Sequence, residues 1–228
     1  MKTNKKRENY KKNTAFLLAI FVFLTIFILL SKTLFSLFFP LDNIVNNYFN
    51  DLRNISFLVI LIKTISHLGD WKILLTLSVV LTFIISRKSK FDSGVFIIAF
   101  LFTGGLVYTL KEFFQRARPE GLIEATTFSF PSGHTALSIV FYGFIAYFSY
   151  RYVKTPLRKI IIFLSITLIL FIGFSRIFLG IHWLSDVLAS VVISGSILLI
   201  GIWIIENQKL ITSKLFEVFV GFKNKRPL

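Results

Sequence analysis

The chain of 228 residues contains no cysteine, which excludes disulfide bonds, thiolate metal sites and a cysteine nucleophile. It is also poor in acidic residues, with 11 aspartates and glutamates against 26 lysines and arginines. Charged residues of both signs make up only 16% of the chain, whereas 55% is hydrophobic, including 28 phenylalanines. This composition is too apolar for an ordinary soluble domain and predicts a membrane protein.

Six apolar runs approach or reach the length of about 20 residues that crosses a bilayer as a helix. A seventh run, Ile55–Ile65, is shorter and contains Lys63, so we predict an interfacial or re-entrant helix between spans one and two. Pro40 and the polar segment 42–54 are expected to separate that helix from span one. The prediction is an all-α, polytopic membrane protein with a single domain over 1–228: tails at 1–13 and 206–228 and a six-span core at 14–205. The six runs are Thr14–Leu30, Ile73–Ser86, Ser93–Leu110, Thr135–Tyr150, Ile160–Phe174 and Val187–Ile205.

Basic residues are concentrated in both tails and in the loops that follow spans two and four. With six spans all four segments fall on one side of the membrane, which the positive-inside rule makes the cytoplasmic side. The net charge of +15 is then explained by topology and by anionic lipid headgroups, and no nucleic-acid partner is expected. The four segments hold 18 of the 26 basic residues: Lys2, Lys5, Lys6, Arg7, Lys11, Lys12, Arg87, Lys88, Lys90, Arg151, Lys154, Arg158, Lys159, Lys209, Lys214, Lys223, Lys225 and Arg226.

Three segments rich in ionisable residues are expected together on the outer side of the membrane. They read KEFFQRARP (111–119) after span three, FPSGHTA (130–136) at the start of span four, and SRIFLGIHWLSD (175–186) between spans five and six. Ionisable groups near lipid are costly unless they are paired or hydrated. Their concentration on one face therefore predicts a functional site.

The cations of these segments suit a phosphate group. Lys111, Arg118 and Arg176 supply three fixed positive charges, and arginine offers a planar fork that matches phosphate oxygens. The sequence PSGH (131–134) is typical of a helix start with Ser132 as the cap, where free backbone N–H groups hold an anion. Arg116 has no partner in this pattern and is interpreted as a surface charge.

The two histidines of these segments suggest nucleophilic catalysis. His182 and Asp186 are four residues apart, so they would share a face if both lie on the first turn of span six. The carboxylate would then hold one ring nitrogen and leave the other free to attack phosphorus. His134 comes from a different segment and is placed to donate a proton to the leaving oxygen.

The three segments resemble the motifs of the type 2 phosphatidic acid phosphatase (PAP2) superfamily, which read K-x6-RP, PSGH and SR-x5-H-x3-D. All three match in order and without departure, and the resemblance covers residues 111–186 and the expected six spans. It implies that His182 is a nucleophile that forms a phosphohistidine, that Asp186 orients it and that His134 is the general acid. It also implies a phosphate-binding set without a metal or other cofactor, made of Lys111, Arg118, Ser132, Gly133 and Arg176.

The resemblance implies an integral membrane phosphatase that acts on a lipid phosphate or diphosphate at the outer face of the cell membrane, with both termini cytoplasmic. Undecaprenyl diphosphate is the first expected substrate, because that diphosphate is released on the outer side. Phosphatidylglycerophosphate and phosphatidic acid are the alternatives. A lipid or anion transporter would use the same cations but would not need the His–Asp pair, and the related vanadate-dependent haloperoxidases are soluble. The oligomeric state is open.

Overall fold

The structure is a computed structural model that describes residues 2–121 and 127–212. Within these residues the chain forms seven α-helices and one short 3-10 turn, without a β-strand, which confirms the all-α class. Residues 213–228 of the predicted C-terminal tail lie outside the described residues. The helices are α1 (Lys2–Asn50), α2 (Ser56–His67), α3 (Trp71–Ser86), α4 (Lys90–Phe114), α5 (Gly133–Tyr152), α6 (Leu157–Phe178) and α7 (Leu184–Glu206), and the 3-10 turn is Leu52–Asn54.

Helix α1 is much longer than the predicted first span. It runs for 49 residues and continues through Pro40, so the predicted break at this proline is wrong. An interior proline costs a helix about 3 kcal/mol, but contacts made beyond it hold the chain in place. The Asp42 carboxylate accepts a 2.9 Å hydrogen bond from the Ser185 backbone N–H, and it pairs with Arg116 Nη2 at 2.7 Å. Long-range contacts therefore outweigh the local signal.

Helix α2 confirms the predicted short helix between the first two spans. Its 12 residues are followed by a corner at Leu68–Asp70, where the Asp70 side chain caps α3 by accepting from Lys72 N at 2.8 Å. Helix α2 packs against α6. Together α2 and α3 also form one apolar stretch, Ser56–Ser86, long enough to cross a membrane, so the interfacial position of α2 stays a prediction.

Among the residues that the structure describes, five helical stretches are long and apolar enough to span a bilayer: Leu18–Asn54, Ser56–Ser86, Lys90–Phe114, Leu157–Phe178 and Leu184–Glu206. Helix α5 does not meet that criterion, although it packs against α3, α4, α6 and α7. The multi-pass membrane character is thus supported, and the count of six spans stays a prediction.

The core is built around α5 and is dominated by aromatic side chains. Phe96 and Phe144 are fully buried, and their rings pack edge to face with centroids 5.4 Å apart, a preferred aromatic geometry. The ends of four helices meet at one end of this core, where α4 and α6 terminate and α5 and α7 begin. The three motifs lie at these ends.

A buried ion pair fixes the opposite end of the bundle. Asp92, at the start of α4, is fully buried. Its carboxylate accepts hydrogen bonds from Tyr152 Oη at 2.6 Å and Ser89 Oγ at 2.8 Å, and it pairs with Arg151 Nε at 3.1 Å. These contacts fasten the C-terminal end of α5 to the N-terminal end of α4, far from the motifs.

Single-cysteine labelling tests the orientation, because the native chain has no competing thiol. We predict that Glu120→Cys, on the motif side, reacts with a membrane-impermeant maleimide in intact cells. Lys88→Cys, in a basic loop at the other end, should react only after permeabilisation, because that loop is expected in the cytoplasm. Both positions are exposed. The neighbouring Gly121 is unsuitable, since a Cβ there would lie 2.3 Å from the Gly180 carbonyl oxygen. The reverse labelling pattern would contradict the predicted orientation.

Candidate active site

One cavity of about 580 Å³ brings most of the predicted site residues together. Its polar wall is formed by five side chains from three separate motifs: Lys111, Arg118, His134, Arg176 and His182. The structure therefore places three cations and two histidines around one space, as the chemistry of the motifs predicts. The backbone of Gly133 also lines this space.

The end of α4 positions Lys111. The helix terminates at Gln115, which adopts a left-handed conformation with φ 48° and donates its N–H to the Lys111 carbonyl at 2.9 Å. This is a common way to end a helix and reverse the chain. The Lys111 ammonium donates to the carbonyl oxygens of Phe128 at 2.5 Å and Ser129 at 3.4 Å, so backbone dipoles hold the charge at the cavity.

Arg118 is fixed by backbone carbonyls on two sides. Its Nε donates to Thr127 O and its Nη1 to Ile181 O, both at 2.6 Å. Its Nη2 donates to Phe128 O at 3.1 Å. The same Nη1 lies 3.3 Å from Nε2 of His182. The guanidinium is thus oriented before any substrate binds, with one edge against the histidine.

Arg176 is buried in the last turn of α6 and contacts a residue that the sequence did not single out. Its Nη1 donates to Ser66 Oγ, on α2, at 2.6 Å, while its Nε has no hydrogen-bond partner among the described residues. Ser66 is separated from Arg176 by 110 positions. No local pattern marks such a pairing, so only the folded chain reveals that α2 supports the site.

His182 and Asp186 are neighbours, but not through a shared helix face. The N-cap of α7 is Trp183, so His182 precedes the helix and Asp186 is its third residue. Only Asp186 therefore lies on the first turn, and the condition for a shared helix face is not met. The bend before α7 still brings His182 Nδ1 to 3.5 Å from Asp186 Oδ2. This separation lies outside hydrogen-bond geometry, and Nδ1 has no other partner within the described part of the chain.

The surroundings of His182 favour one neutral tautomer. A guanidinium has only donors, so the contact of Arg118 with Nε2 favours an unprotonated Nε2 and a proton on Nδ1, facing Asp186. Burial, together with the charges of Arg176, Arg118 and Lys111, lowers the pKa of His182 well below its usual value. The ring is therefore held as a neutral imidazole whose unprotonated Nε2 lies at the cavity beside Arg118.

Helix α5 starts at the second motif as predicted, but Ser132 plays a different structural part. Ser132 is the N-cap residue, yet its side chain makes no capping bond; its Oγ lies 2.9 Å from Thr135 Oγ1, and the residue is fully buried. The preceding Phe130–Pro131 peptide bond is cis. Gly133 and His134 form the cavity wall, while Ser132 lies outside it, so its contact with phosphate stays a prediction.

Arg116 is a buried ion-pair partner, and its interpretation as a surface charge is wrong. Its side chain is only 9% exposed. Nη1 contacts Asp186 Oδ1 at 2.5 Å, and Nη2 contacts Asp42 Oδ2 at 2.7 Å. Asp42 is 74 positions away on α1, in the part of the helix beyond Pro40. The sequence marked neither residue, because the pairing depends on a helix that was not expected to continue.

A grouping of His, Asp and Glu side chains that would hold a metal ion is not found in the part of the chain that the structure describes. The acidic residues nearest the cavity are engaged elsewhere: Asp186 with Arg116, and Asp70 with the start of α3. Metal-independent phosphate binding remains a prediction that requires a direct test.

The chain is similar to known proteins in sequence and in fold. Phosphatidylglycerophosphatase B of Bacillus subtilis is 31% identical over 129 residues, which is 54% of this chain and 64% of that protein, less than two thirds of its length. The crystal structure of a transmembrane PAP2-type phosphatidylglycerolphosphate phosphatase from B. subtilis superposes with a TM-score of 0.73 at 24% identity, covering 84% of this chain and 96% of that chain. LpxE from Aquifex aeolicus gives a TM-score of 0.50 at 23% identity, over 72% and 93% of the respective chains.

At these identities the two solved structures show a shared fold and nothing further. The family assignment comes from the sequence of residues 92–210, which match the PAP2 superfamily. That range contains all three motifs and covers more than half of the chain. The chain belongs to the PAP2 superfamily.

Proposed function

We propose that this protein is an integral membrane phosphatase that hydrolyses lipid phosphates through a phosphohistidine at His182. The observation that carries the proposal is the composition of the cavity, which is cationic at one end and apolar at the other. The apolar part is formed by Trp71 and Leu75 from α3 and by Leu101 and Tyr108 from α4. These four side chains are also exposed on the outside of the helices.

This arrangement fits a substrate with a phosphate head and a hydrocarbon tail. Helices α3 and α4 both belong to stretches that are apolar enough to span a bilayer, so the exposed apolar wall faces lipid chains. A lipid tail would remain among these chains while its phosphate reaches Lys111, Arg118 and Arg176. A small water-soluble phosphate ester has no hydrocarbon tail to pack against this wall.

The first chemical step follows from the geometry of His182. The lone pair of Nε2 attacks phosphorus; the Nε2–P bond forms and the bond between phosphorus and the lipid oxygen breaks. Burial and the charge of Arg176 lower the pKa of His134 to about 3, so His134, on the same cavity wall, takes up a proton when the phosphate anion binds and gives it to the departing oxygen. The two arginines and Lys111 stabilise the charge that develops on the phosphoryl oxygens. Asp186 stabilises the imidazole ring as it becomes positively charged.

The second step releases phosphate. Water attacks the phosphorus of the phosphohistidine, and His134, now unprotonated, accepts a proton from that water. The Nε2–P bond breaks, inorganic phosphate leaves, and His182 returns to its neutral form. Both steps use the same cations, so metal chemistry is not required by this scheme.

Phosphatidylglycerophosphate becomes the preferred substrate among the three candidates. A relative that is 31% identical carries the name phosphatidylglycerophosphatase B, and the three cations of the cavity match one terminal phosphoryl group. The sequence alone favoured undecaprenyl diphosphate, which stays the second candidate, with phosphatidic acid third. The outer-face position of the site and the cytoplasmic termini are part of the same proposal and rest on the distribution of basic residues.

A substrate panel tests the proposed activity directly. We expect purified protein in detergent to release inorganic phosphate from phosphatidylglycerophosphate and, at different rates, from phosphatidic acid and undecaprenyl diphosphate. Activity should survive EDTA, because side chains and backbone N–H groups neutralise the phosphate, and vanadate should inhibit it. The control is His182→Ala, prepared in the same way. A strict requirement for Mg²⁺, or no release from any lipid phosphate, would contradict the proposal.

Replacement of the two histidines should affect phosphoenzyme formation in different ways. Replacing His182 by alanine removes the attacking nitrogen, so we expect both turnover and the phosphoenzyme to be lost. Replacing His134 by alanine removes the proton donor, so phosphoenzyme formation should slow by about 100-fold for a lipid phosphate. The loss should be much smaller for an aryl phosphate, whose leaving group needs little protonation. Rapid quench with radiolabelled substrate, followed by mapping of the acid-labile label, measures both effects. Label on His134 would refute this assignment.

The apolar wall should determine how long-chain lipids bind. Gly105 lies on the cavity wall, and a Cβ built there meets no atom within 4 Å. We expect Gly105→Leu to fill this space and raise KM for a long-chain lipid phosphate by about 10-fold. KM for a water-soluble aryl phosphate should be almost unchanged. The matched control is Gly94→Leu, the same change on α4 in equally open space but away from the cavity. Equal effects on both substrates would argue against a lipid-binding wall.

A further inference from the structure

Asp42, Arg116 and Ser185 form a buried cluster with Asp186 behind the cavity, and of these four residues the mechanism described so far uses only Asp186. Asp42 and Asp186 are both fully buried, and buried carboxylates require compensating partners. Arg116 lies between them and contacts one oxygen of each. Its guanidinium also stacks over Phe35, with its central carbon 4.3 Å from the ring centre. This arginine is therefore held by charge on two sides and by an aromatic face on a third.

Asp42 fixes both the arginine and the start of α7. Its Oδ1 accepts from Ser185 N at 2.9 Å, and its Oδ2 accepts from Ser185 Oγ at 2.6 Å and from Arg116 at 2.7 Å. The backbone N–H groups in the first turn of a helix have no partner within the helix. Asp42 supplies one from α1, so α7 and Arg116 have one common anchor.

The contacts of Asp186 divide between its two oxygens. Oδ1 faces Arg116 Nη1, whereas Oδ2 accepts from Trp183 N at 3.0 Å and faces His182 Nδ1. If Arg116 did not hold Oδ1, the hydrogen bond from Trp183 N to Oδ2 would remain, but the direction of the carboxylate toward the histidine would be less restrained. The direction of the carboxylate thus depends on a residue that does not contact the histidine in this structure.

Arg116 and Arg118 are only two residues apart but contact opposite ends of the His182–Asp186 pair. Arg118 lines the cavity and lies beside Nε2, the attacking nitrogen. Arg116 does not belong to the wall of that cavity; it contacts the far oxygen of the aspartate. A residue in this position would influence the chemical step without binding the phosphate.

We propose that Arg116, anchored by Asp42, is a positioning residue that holds the Asp186 carboxylate toward His182. The inference rests on the proposed phosphatase function. Its consequence is specific: Arg116 acts only through Asp186. Removal of the arginine should therefore lower kcat with little change in KM. This loss of kcat should disappear when Asp186 has already been replaced by an uncharged residue.

A double-mutant cycle measures this dependence. We expect Arg116→Gln to lower kcat for lipid phosphate by about 30-fold with KM changed by less than about 2-fold, since the substrate contacts are intact. In an Asp186→Asn background, the same substitution should change kcat by less than about 2-fold. Asp42→Asn keeps an acceptor for Ser185 but removes the charge, so it should cause a smaller loss that is likewise absent in the Asp186→Asn background.

Arg151→Gln is the matched control, since it also removes an arginine from a fully buried aspartate, Asp92, at the other end of the bundle. It should leave kcat unchanged. If Arg116→Gln does not fold, the cycle is run with Arg116→Lys, which keeps the charge but cannot bridge two carboxylates. An equal loss of kcat in both backgrounds, or a loss confined to KM, would overturn the inference while leaving the phosphatase function intact. Wild-type protein without phosphatase activity would instead refute the proposed function.

Discussion

The Asp186 carboxylate is buried without any exposure to solvent, and much of the site is arranged to compensate for that burial. An isolated buried carboxylate is costly, and it is stable only with opposite charge and hydrogen-bond donors around it. The donors come from two places in the chain, Arg116 after α4 and the Trp183 backbone at the start of α7, and Arg116 is itself paired with the Asp42 carboxylate on α1. One charged group therefore fixes the mutual position of three helices that carry or support the motifs.

The cavity also holds several positive charges close together, and their mutual repulsion must be offset. Lys111, Arg118 and Arg176 lie around one space and repel one another. Backbone carbonyls and a hydroxyl offset part of this repulsion: Phe128 and Ser129 for the lysine, Thr127 and Ile181 for Arg118, and Ser66 for Arg176. Such fixed dipoles hold the positive groups in position before an anion arrives, so that little reorganisation is required when charge develops on a phosphoryl group.

The three motif segments could be located from the sequence because they stand out locally. Ionisable side chains interrupt apolar runs at the ends of α4, α5, α6 and α7, and helix signals at Pro131–Gly133 mark the start of α5. Three motif residues, Lys111, Arg118 and Arg176, line the cavity as expected.

What the sequence could not reveal depends on contacts between distant parts of the chain. Pro40 is a local signal for a helix end, but α1 continues because Asp42 is held by Ser185 and Arg116. The support of Arg176 by Ser66 is equally non-local. A shared helix face for His182 and Asp186 required both residues to lie on the first turn of α7, but the helix begins two residues after His182, with Trp183 as the N-cap. Spacing predicted that the pair would meet, and only the backbone shows that a bend brings the two side chains together.

In the proposed mechanism, the charges that bind phosphate also prepare His182 as the nucleophile. Burial and three nearby cations lower the pKa of His182, which keeps its imidazole neutral and able to attack. Attack at phosphorus makes the ring positive, a form that burial and the nearby cations disfavour. Two features offset this cost. The phosphoryl group brings negative charge to the cations, and Asp186, 3.5 Å from Nδ1, lies beside the ring nitrogen that bears the proton. A cationic pocket can therefore use a histidine nucleophile because a carboxylate is held behind the ring, and the orientation of that carboxylate is as important to the chemistry as the cations in front.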